Sequence, residues 1–450
     1  MPNRKPIAVD GTLHPDFYPV ALALRRQLAD YAGGAAVCVY HRGACVVDLW
    51  GGKRDAAGRP WARDTMAPSF STTKGVASTL LHIMVDRGLL DYDDPVCRYW
   101  PEFAQAGKEE ITVRQVLAHQ SGLYHIRQMI DRADRMLDWS YMIRAIERTA
   151  PIHEPGKRTG YHGLTYGYLV GEILQRVTRR SFSQLVRQEI ATPLGLDGMY
   201  VGTPRSELRR AAKLIWPNRG IFDLPLPRGL DGSAFAEVMA GGAAIVQRVL
   251  RIPGIQLDLQ SILDALAPRG ITSFDFGAEE TLRAAIPAAN GLFTARSLAR
   301  MYAALAGGGE IDGVRLLSRE TLARATQVQS RAEGRVVIPF EMRWRLGYHG
   351  VFTTRGIPRH GFGHFGFGGS GGWADPRRNL AVGLIVNSGM GTPFGDLRIA
   401  RMGGAALRCA SERPGAEHPR RAGRSAWPGW LIPSELWRAW GAVGSTRPGR

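Results

Sequence analysis

Cysteine is scarce in this chain: Cys38, Cys45, Cys97 and Cys409 are spread over 450 positions, with no Cys-x-x-Cys among them. That argues against a disulfide framework and a thiolate zinc site, and the four read as reduced core thiols. Lysine is scarcer than the charge suggests. Only six of the 58 Lys and Arg residues are lysines, against 40 Asp and Glu, for a formal net charge of +18. Such a field attracts anions, but no zinc knuckle, helix-turn-helix or aromatic-plus-basic strand signature accompanies it, so no nucleic-acid partner is expected. Nowhere do ~18 apolar residues run unbroken, and the N-terminal stretch has no apolar run of signal-peptide length. No membrane span is therefore expected, and the cytoplasm is the default compartment. No internal repeat is present.

What the chain does have is ordinary globular composition, 44% hydrophobic and 22% charged. A prior of about 150 residues per domain allows roughly three domains or one large composite fold. Residues 34–50, GAAVCVYHRGACVVDLW, form two β-rich runs split by His41-Arg42-Gly43, a hairpin signal. Residues 71–90 place apolar side chains at helical spacing and close near Gly88, which predicts one long, largely buried helix. From 91 to 285 the pattern is mostly helical, with helices expected at 113–119, 134–147, 164–177, 182–189, 235–249 and 261–266. Residues 294–306 read as a further helix, 380–387 as a buried strand, and a partner strand is expected within 365–374. Strand signals at both ends with helices between them predict an α/β fold of the α+β kind, an antiparallel sheet flanked by helices with a mostly helical domain inserted. The expected division is a discontinuous sheet-containing domain (15–90 and 286–410), a helical insert (91–285) and a basic, proline-punctuated, flexible tail (411–450).

Three stretches could carry chemistry. Ser71-Thr72-Thr73-Lys74 opens the predicted buried helix, and a spacing of three puts serine and lysine on one face. A serine hydroxyl needs a neighbour to take its proton, and a lysine among apolar residues has its pKa lowered towards that task. Helix capping by Ser71 or Ser69 explains the same placement. Tyr161-His162-Gly163 follows Pro155-Gly156 directly before an apolar helix; a tyrosine there can reach the serine, and it can equally be a packing residue. Gly363-His364-Phe365-Gly366-Phe367-Gly368-Gly369-Ser370 is dense in glycine within a strand pattern, which suggests close approach of a backbone or ligand, or else a flexible hairpin.

Taken in this order, Ser71-x-x-Lys74, Tyr161 after a Pro-Gly, and His364-x-Gly366 before Gly-Gly-Ser and Ala-Asp-Pro resemble the serine β-lactamase-related superfamily: class C β-lactamases, D-Ala-D-Ala carboxypeptidases and family VIII carboxylesterases. His119-Gln120-Ser121-Gly122-Leu123 and Gly307-Gly308-Gly309-Glu310 are similar to the same family, and the resemblance spans residues 15–410. It implies a β-lactamase/transpeptidase-like fold, with Ser71 as the acylated nucleophile, Lys74 as its proton-relay partner and Tyr161 as the general base. Either Tyr161 or Lys74 can take the first proton. It further implies an oxyanion hole from the backbone N–H groups of Ser71 and Phe367, and substrate contacts from His364, Gly366, His162 and Gly163. No metal or cofactor is implied.

Two departures bear on substrate. Where the lactamases carry Tyr-x-Asn this chain has Gly163, and where they carry the lysine of Lys-Thr-Gly it has His364. Both argue against β-lactams and peptides and point to the esterase branch, with a small carboxylic ester hydrolysed by acylation and deacylation. An acyltransferase needs the same machinery. A β-lactamase or D-amino-acid peptidase on this scaffold, and a catalytically silent binding protein, are the competing readings. The segment 205–285, rich in Leu, Ile and Phe, is expected to shape the acyl side of the pocket. Gly368 to Gly372 matches the Gly-x-Ser-x-Gly elbow around Ser370, but it leads into a strand and only His418 follows, so Ser370 reads as structural. Gly361-x-Gly363-x-x-Gly366 lacks the helix a dinucleotide fingerprint needs, and His119, His125, His153 and His162 lack metal spacing.

Overall fold

The computed structural model describes residues 8–215, 258–329, 334–338, 341–389, 391–392 and 395–412. The expected helix at 235–249, much of the segment 205–285 and the tail from 413 onward lie outside the described residues.

Seven strands form one sheet: β1 (Val9–Leu13), β2 (Gly34–His41), β3 (Ala44–Gly52), β4 (His349–Gly350), β5 (Phe362–Phe365), β6 (Gly371–Asp375) and β7 (Leu380–Val386). Their order is β1-β3-β2-β7-β6-β5-β4, antiparallel at every pairing. Strands from the two ends of the sequence meet where β2 pairs with β7, Val39 opposite Val382. The β2–β3 hairpin turns on Arg42 and Gly43, at φ 52° and 79°, the two-residue turn whose twist suits paired strands.

Among the described residues are five long helices, α1 (Tyr18–Asp30), α2 (Thr72–Asp86), α3 (Thr165–Thr178), α4 (Ala295–Ala306) and α5 (Leu397–Glu412); α3 packs on α2, and the other four pack on the sheet. Because successive strand residues point to opposite faces, the sheet sorts its apolar residues into two layers. Val37, Val39, Val382 and Leu384 pack with α1 and α5, whereas Ala36, Cys38, Tyr40, Ala381 and Ile385 face the larger core that contains α2, α3 and α4. In α2 every residue from Thr72 to Val85 is buried. The helix stops at Gly88, whose φ of 69° lets the N–H groups of Gly88 and Leu89 turn back onto the Val85 and Met84 carbonyls.

The structure departs from the sequence expectations in three places. The strand expected within 365–374 is two strands, because Gly368 and Gly369 at φ 80° and 93° break the run and the Gly366 N–H closes a turn onto the Ser370 carbonyl at 2.8 Å. The helix expected at 134–147 is interrupted: a 3₁₀ turn ends at Leu137, and Trp139–Arg148 starts afresh where the Asp138 carboxylate accepts the Tyr141 N–H at 2.9 Å. Of the four thiols read as core, only Cys38 and Cys409 are buried, while Cys45 is exposed. Among the described residues no helix is long and apolar enough to cross a membrane.

Candidate active site

The approach to α2 is held before the helix begins. Ala67–Pro68 pairs with Leu292–Phe293, and the Ser69 N–H bonds the Gly291 carbonyl at 2.9 Å. Phe70 follows at φ 44°, a conformation that a bulky residue adopts only when its surroundings impose it. Its carbonyl accepts the Thr73 hydroxyl at 2.6 Å, and Thr73 in turn accepts the Gly291 N–H at 2.9 Å. Ser71 therefore emerges from a fixed corner.

Ser71 occupies the N-cap position, yet its side chain makes no capping bond, and the Ser69 hydroxyl donates to the Ala67 carbonyl instead. The capping explanation fails for both serines. Ser71 Oγ instead lies 2.9 Å from Lys74 Nζ and 2.9 Å from the Tyr161 hydroxyl, which donates to it. Lys74 also reaches two backbone carbonyls, Gly163 at 2.6 Å and Ala288 at 3.0 Å, and its amine sits 5.1 Å from the centre of the Tyr161 ring. Lys74 is fully buried, and burial alone holds its pKa well below the ordinary value. Burial pushes the Tyr161 phenol up, only partly opposed by its bond to Ser71. Both shifts favour uncharged forms. An uncharged amine has two N–H groups and one lone pair, which matches two carbonyls and one hydroxyl.

Tyr161 is clamped on both sides by one residue. The His119 carbonyl accepts the Gly160 N–H at 2.9 Å, and His119 Nδ1 accepts the His162 N–H at 3.2 Å. The His119 ring stands edge-on to Tyr161 with centroids 5.0 Å apart and packs on Trp344 at 4.4 Å. His119 is itself at φ 60°. Burial and the neighbouring His162, His364 and Lys74 hold its pKa well below the ordinary imidazole value. Trp344 stacks on Tyr161 at 5.6 Å and 15° between planes.

The expected substrate residues separate into two groups. The ring of His162 is committed within the protein: Nδ1 lies 2.6 Å from the Gly160 carbonyl and Nε2 2.6 Å from the Ser121 hydroxyl, and burial lowers its pKa to about 3. It positions the Tyr161 loop and has no ring nitrogen left for a substrate, which corrects its expected role. Gly163 contributes a carbonyl to Lys74, and a Cβ there would lie 2.3 Å from Leu266 Cδ2 and 2.7 Å from the Ala265 carbonyl oxygen. Its position is filled by the helix Leu259–Leu266.

His364 and Gly366 come from the β5 end. His364 is buried, with Nδ1 3.0 Å from the Phe365 carbonyl and Nε2 without a hydrogen-bond partner among the described residues. Burial, with His349 and Lys74 nearby, holds its pKa well below the ordinary value. The Gly366 backbone presses on the head of α2: a Cβ there would meet the Ser69 carbonyl oxygen at 2.3 Å and Thr72 Oγ1 at 2.9 Å. Phe367 continues the turn, and its ring meets Phe70 edge-on at 5.5 Å. The Phe276 ring also packs on Phe70, with centroids 5.4 Å apart. Ser370 takes no part; its hydroxyl lies 3.3 Å from the Val386 carbonyl and accepts the Val386 N–H at 3.0 Å.

Sequence reasoning named the segment 205–285, which holds Leu266 and Phe276, without singling out either residue, and it missed Trp344 and His349. His349 Nε2 accepts the Phe365 N–H at 2.9 Å and so fixes the strand that carries His364. The motif His119-Gln120-Ser121 was visible, but nothing in it showed that its histidine reaches around Tyr161. Among the described residues no group of three or more His, Cys, Asp or Glu side chains is arranged to hold a metal ion.

Comparison with known proteins places this geometry in context. A family model described as Beta-lactamase matches residues 23–407. The esterase/beta-lactamase LipL of Mycobacterium tuberculosis is 38% identical over 359 residues, covering 79% of this chain and 77% of the relative. A solved penicillin-binding-protein homolog from Caulobacter crescentus superposes with a TM-score of 0.76 at 34% identity, covering 89% of this chain and all of the other. A solved family VIII carboxylesterase gives 0.75 at 33%, covering 90% of this chain and all of the other.

Proposed function

Because the chain belongs to the β-lactamase family and is a serine hydrolase with a β-lactamase/transpeptidase-like fold, we propose that it cleaves small carboxylic esters through an acyl-enzyme on Ser71. The observation that carries this reading is Ser71 Oγ held 2.9 Å from both Lys74 Nζ and the Tyr161 hydroxyl. In their uncharged forms the three groups make one chain of hydrogen bonds. Tyr161 donates to Ser71, Ser71 donates to the Lys74 lone pair, and the two N–H groups of Lys74 rest on the Gly163 and Ala288 carbonyls.

The mechanism follows from that polarity. As Ser71 Oγ attacks the ester carbonyl carbon, its proton passes to Lys74, the group whose burial favours the free amine over the ammonium until that moment. The developing oxyanion is received by the backbone N–H groups of Ser71 and Phe367. Tyr161 protonates the leaving alkoxide and recovers its proton from Lys74. Deacylation runs the relay in reverse, with water in the place of the alcohol. The resemblance assigned the base role to Tyr161; the burial of both groups instead supports Lys74 as first acceptor and Tyr161 as the acid.

Esters are favoured over β-lactams and peptides by what faces the acyl group. Leu266 occupies the space an asparagine at position 163 would need, and His364, kept neutral by burial, offers no fixed cation for a substrate carboxylate. Phe70, Phe276 and Phe367 add apolar surface beside Ser71. The test compares p-nitrophenyl butyrate with a chromogenic cephalosporin, using the wild type and Ser71→Ala. Faster turnover of the butyrate, lost in the variant, is expected; faster turnover of the cephalosporin would reassign the substrate. Failure of a fluorophosphonate to label the wild type would restore the silent-scaffold reading.

A further inference from the structure

Away from this site, two of the four thiols meet. Cys38 on β2 and Cys45 on β3 lie with their sulfurs 3.7 Å apart. Cys45 is opposite Tyr40 and Cys38 opposite Asp48, and the register shifts between Val39 and Tyr40. A bulge of this kind leaves one strand with an extra residue, so the two cysteines become diagonal neighbours on one face of the hairpin. Their surroundings differ sharply. Cys38 is fully buried and burial pushes its thiol up, whereas Cys45 is exposed and its pKa is lowered, chiefly by the hydrogen bond from Cys38. Arg296, which lies within ion-pair distance of Asp48 at 3.6 Å, lowers both thiols. Cys97 and Cys409 sit elsewhere: the Cys97 thiol lies 3.2 Å from the Glu109 carbonyl, and Cys409 is buried.

We propose that Cys45 and Cys38 form a two-thiol redox site, with Cys45 as the attacking sulfur and Cys38 as the resolving one, and that a peroxide closes them into a disulfide. Geometry is the main support: a disulfide needs its sulfurs at roughly 2.05 Å, and from 3.7 Å the closure requires side-chain rotation and a small strand adjustment rather than a change of fold. The chemistry balances in two steps. The Cys45 thiolate attacks one peroxide oxygen, the O–O bond breaks, and hydroxide leaves, giving the sulfenic acid. Cys38 then attacks the Cys45 sulfur, expels its hydroxyl as water once a proton is supplied, and the S–S bond forms. Overall two thiols are oxidised by two electrons, and hydrogen peroxide is reduced to two waters. A dithiol reduces the bond back to two thiols by exchange and is itself oxidised to a disulfide. The bond would staple β2 to β3, one strand in from the β1 edge of the seven-stranded sheet, where β2 packs on α4.

The full-length protein treated with hydrogen peroxide, then unfolded and alkylated without reductant, supplies the test. The expected product has lost two hydrogen atoms in intact mass, and peptide mapping finds Cys38 and Cys45 joined while Cys97 and Cys409 remain alkylated. It unfolds at a higher temperature than the reduced protein, and dithiothreitol abolishes the difference. Cys38→Ala is expected to stop at a sulfenic acid on Cys45 that dimedone traps, and Cys45→Ala to gain no link and no dimedone adduct at position 38. Conversion of wild-type Cys45 to sulfinic or sulfonic acid with Cys38 still alkylated would overturn the proposal. So would an unreacted pair, or a disulfide between two copies of the chain. The wild-type result decides the matter even where a variant folds poorly.

Discussion

Two stretches of this protein look alike on paper and behave as opposites in space. Both the head of α2 and the turn between β5 and β6 combine serine with residues in left-handed conformations. At the helix head, the Ser71 hydroxyl is withheld from the backbone and given to an amine and a phenol. At the turn, the Ser370 hydroxyl is bound to both backbone groups of Val386. The lesson is that a nucleophile is identified by what its hydroxyl is not doing: a side chain already satisfied by its own sheet has neither reason nor freedom to react.

The strongest way to break the contrast is to remove each hydroxyl in turn. Ser71→Ala should lower kcat/KM for p-nitrophenyl butyrate by about 10³-fold or more and leave the Tm within a degree or so of wild type. Ser370→Ala should do the reverse, keeping activity while losing about 1 kcal/mol of stability in urea unfolding. Exchange of those outcomes would mean that the roles have been assigned backwards. Next in size, Tyr161→Phe keeps the ring on Trp344 but removes the hydroxyl proposed as the acid, and should cost about 10²–10⁴-fold in kcat. Esters with better leaving groups should suffer less, since they need no proton; an equal loss across a leaving-group series would count against the assigned role.

A smaller effect is expected at His119, which holds the loop on either side of Tyr161. His119→Ala should lower kcat by about 10²-fold with little change in KM. Asn, whose side-chain oxygen can accept the His162 N–H, should recover part of it; equal losses in both variants would remove the positioning role. The smallest effect is one of stability against pH. Lys74 ordinarily titrates near 10.5 and is held well below that in the folded protein. Above 10.5 the amine is neutral in both states. As pH falls below 10.5 the unfolded chain gains a proton that the folded one refuses, so stability declines, by at most about 1.4 kcal/mol per pH unit, until the folded value is reached. Relative to Lys74→Met, the wild type should therefore be more stable at pH 9.5 than at pH 7.5, and parallel pH curves for the two would sink the claim.

Much of this was legible in the sequence because it is local. A spacing of three brings Ser71 and Lys74 together on any helix, and the near-continuous apolar runs of β2 and β7 announce strands buried on both faces. Tyr161 was legible only through resemblance, since no local rule brings residue 161 to residue 71. The remainder depends on contacts that leave no periodic trace. Trp344 reaches Tyr161 from 183 positions along the chain, and an isolated tryptophan in a loop carries no signal of what it will stack upon. His162 looked like a substrate contact because it adjoins the tyrosine, but the turn that presents Tyr161 directs the next side chain inward to Ser121. Gly163 read as a missing amide; its other meaning, a place already taken by Leu266, requires knowing where a helix nearly a hundred residues later comes to rest.

The touch between Gly366 and the start of α2 has a bearing on the protein's birth as well as its chemistry. A chain emerging from the ribosome has made Ser71, Lys74 and Tyr161 long before it has made β5, and Gly366 with its following turn must still be synthesised and docked against the Ser69 carbonyl. Until then the hydroxyl faces water with no second wall. Hydrolytic competence should thus arrive late and abruptly, so that release of a coloured alcohol during cell-free translation would time the moment at which the two ends of the polypeptide first join.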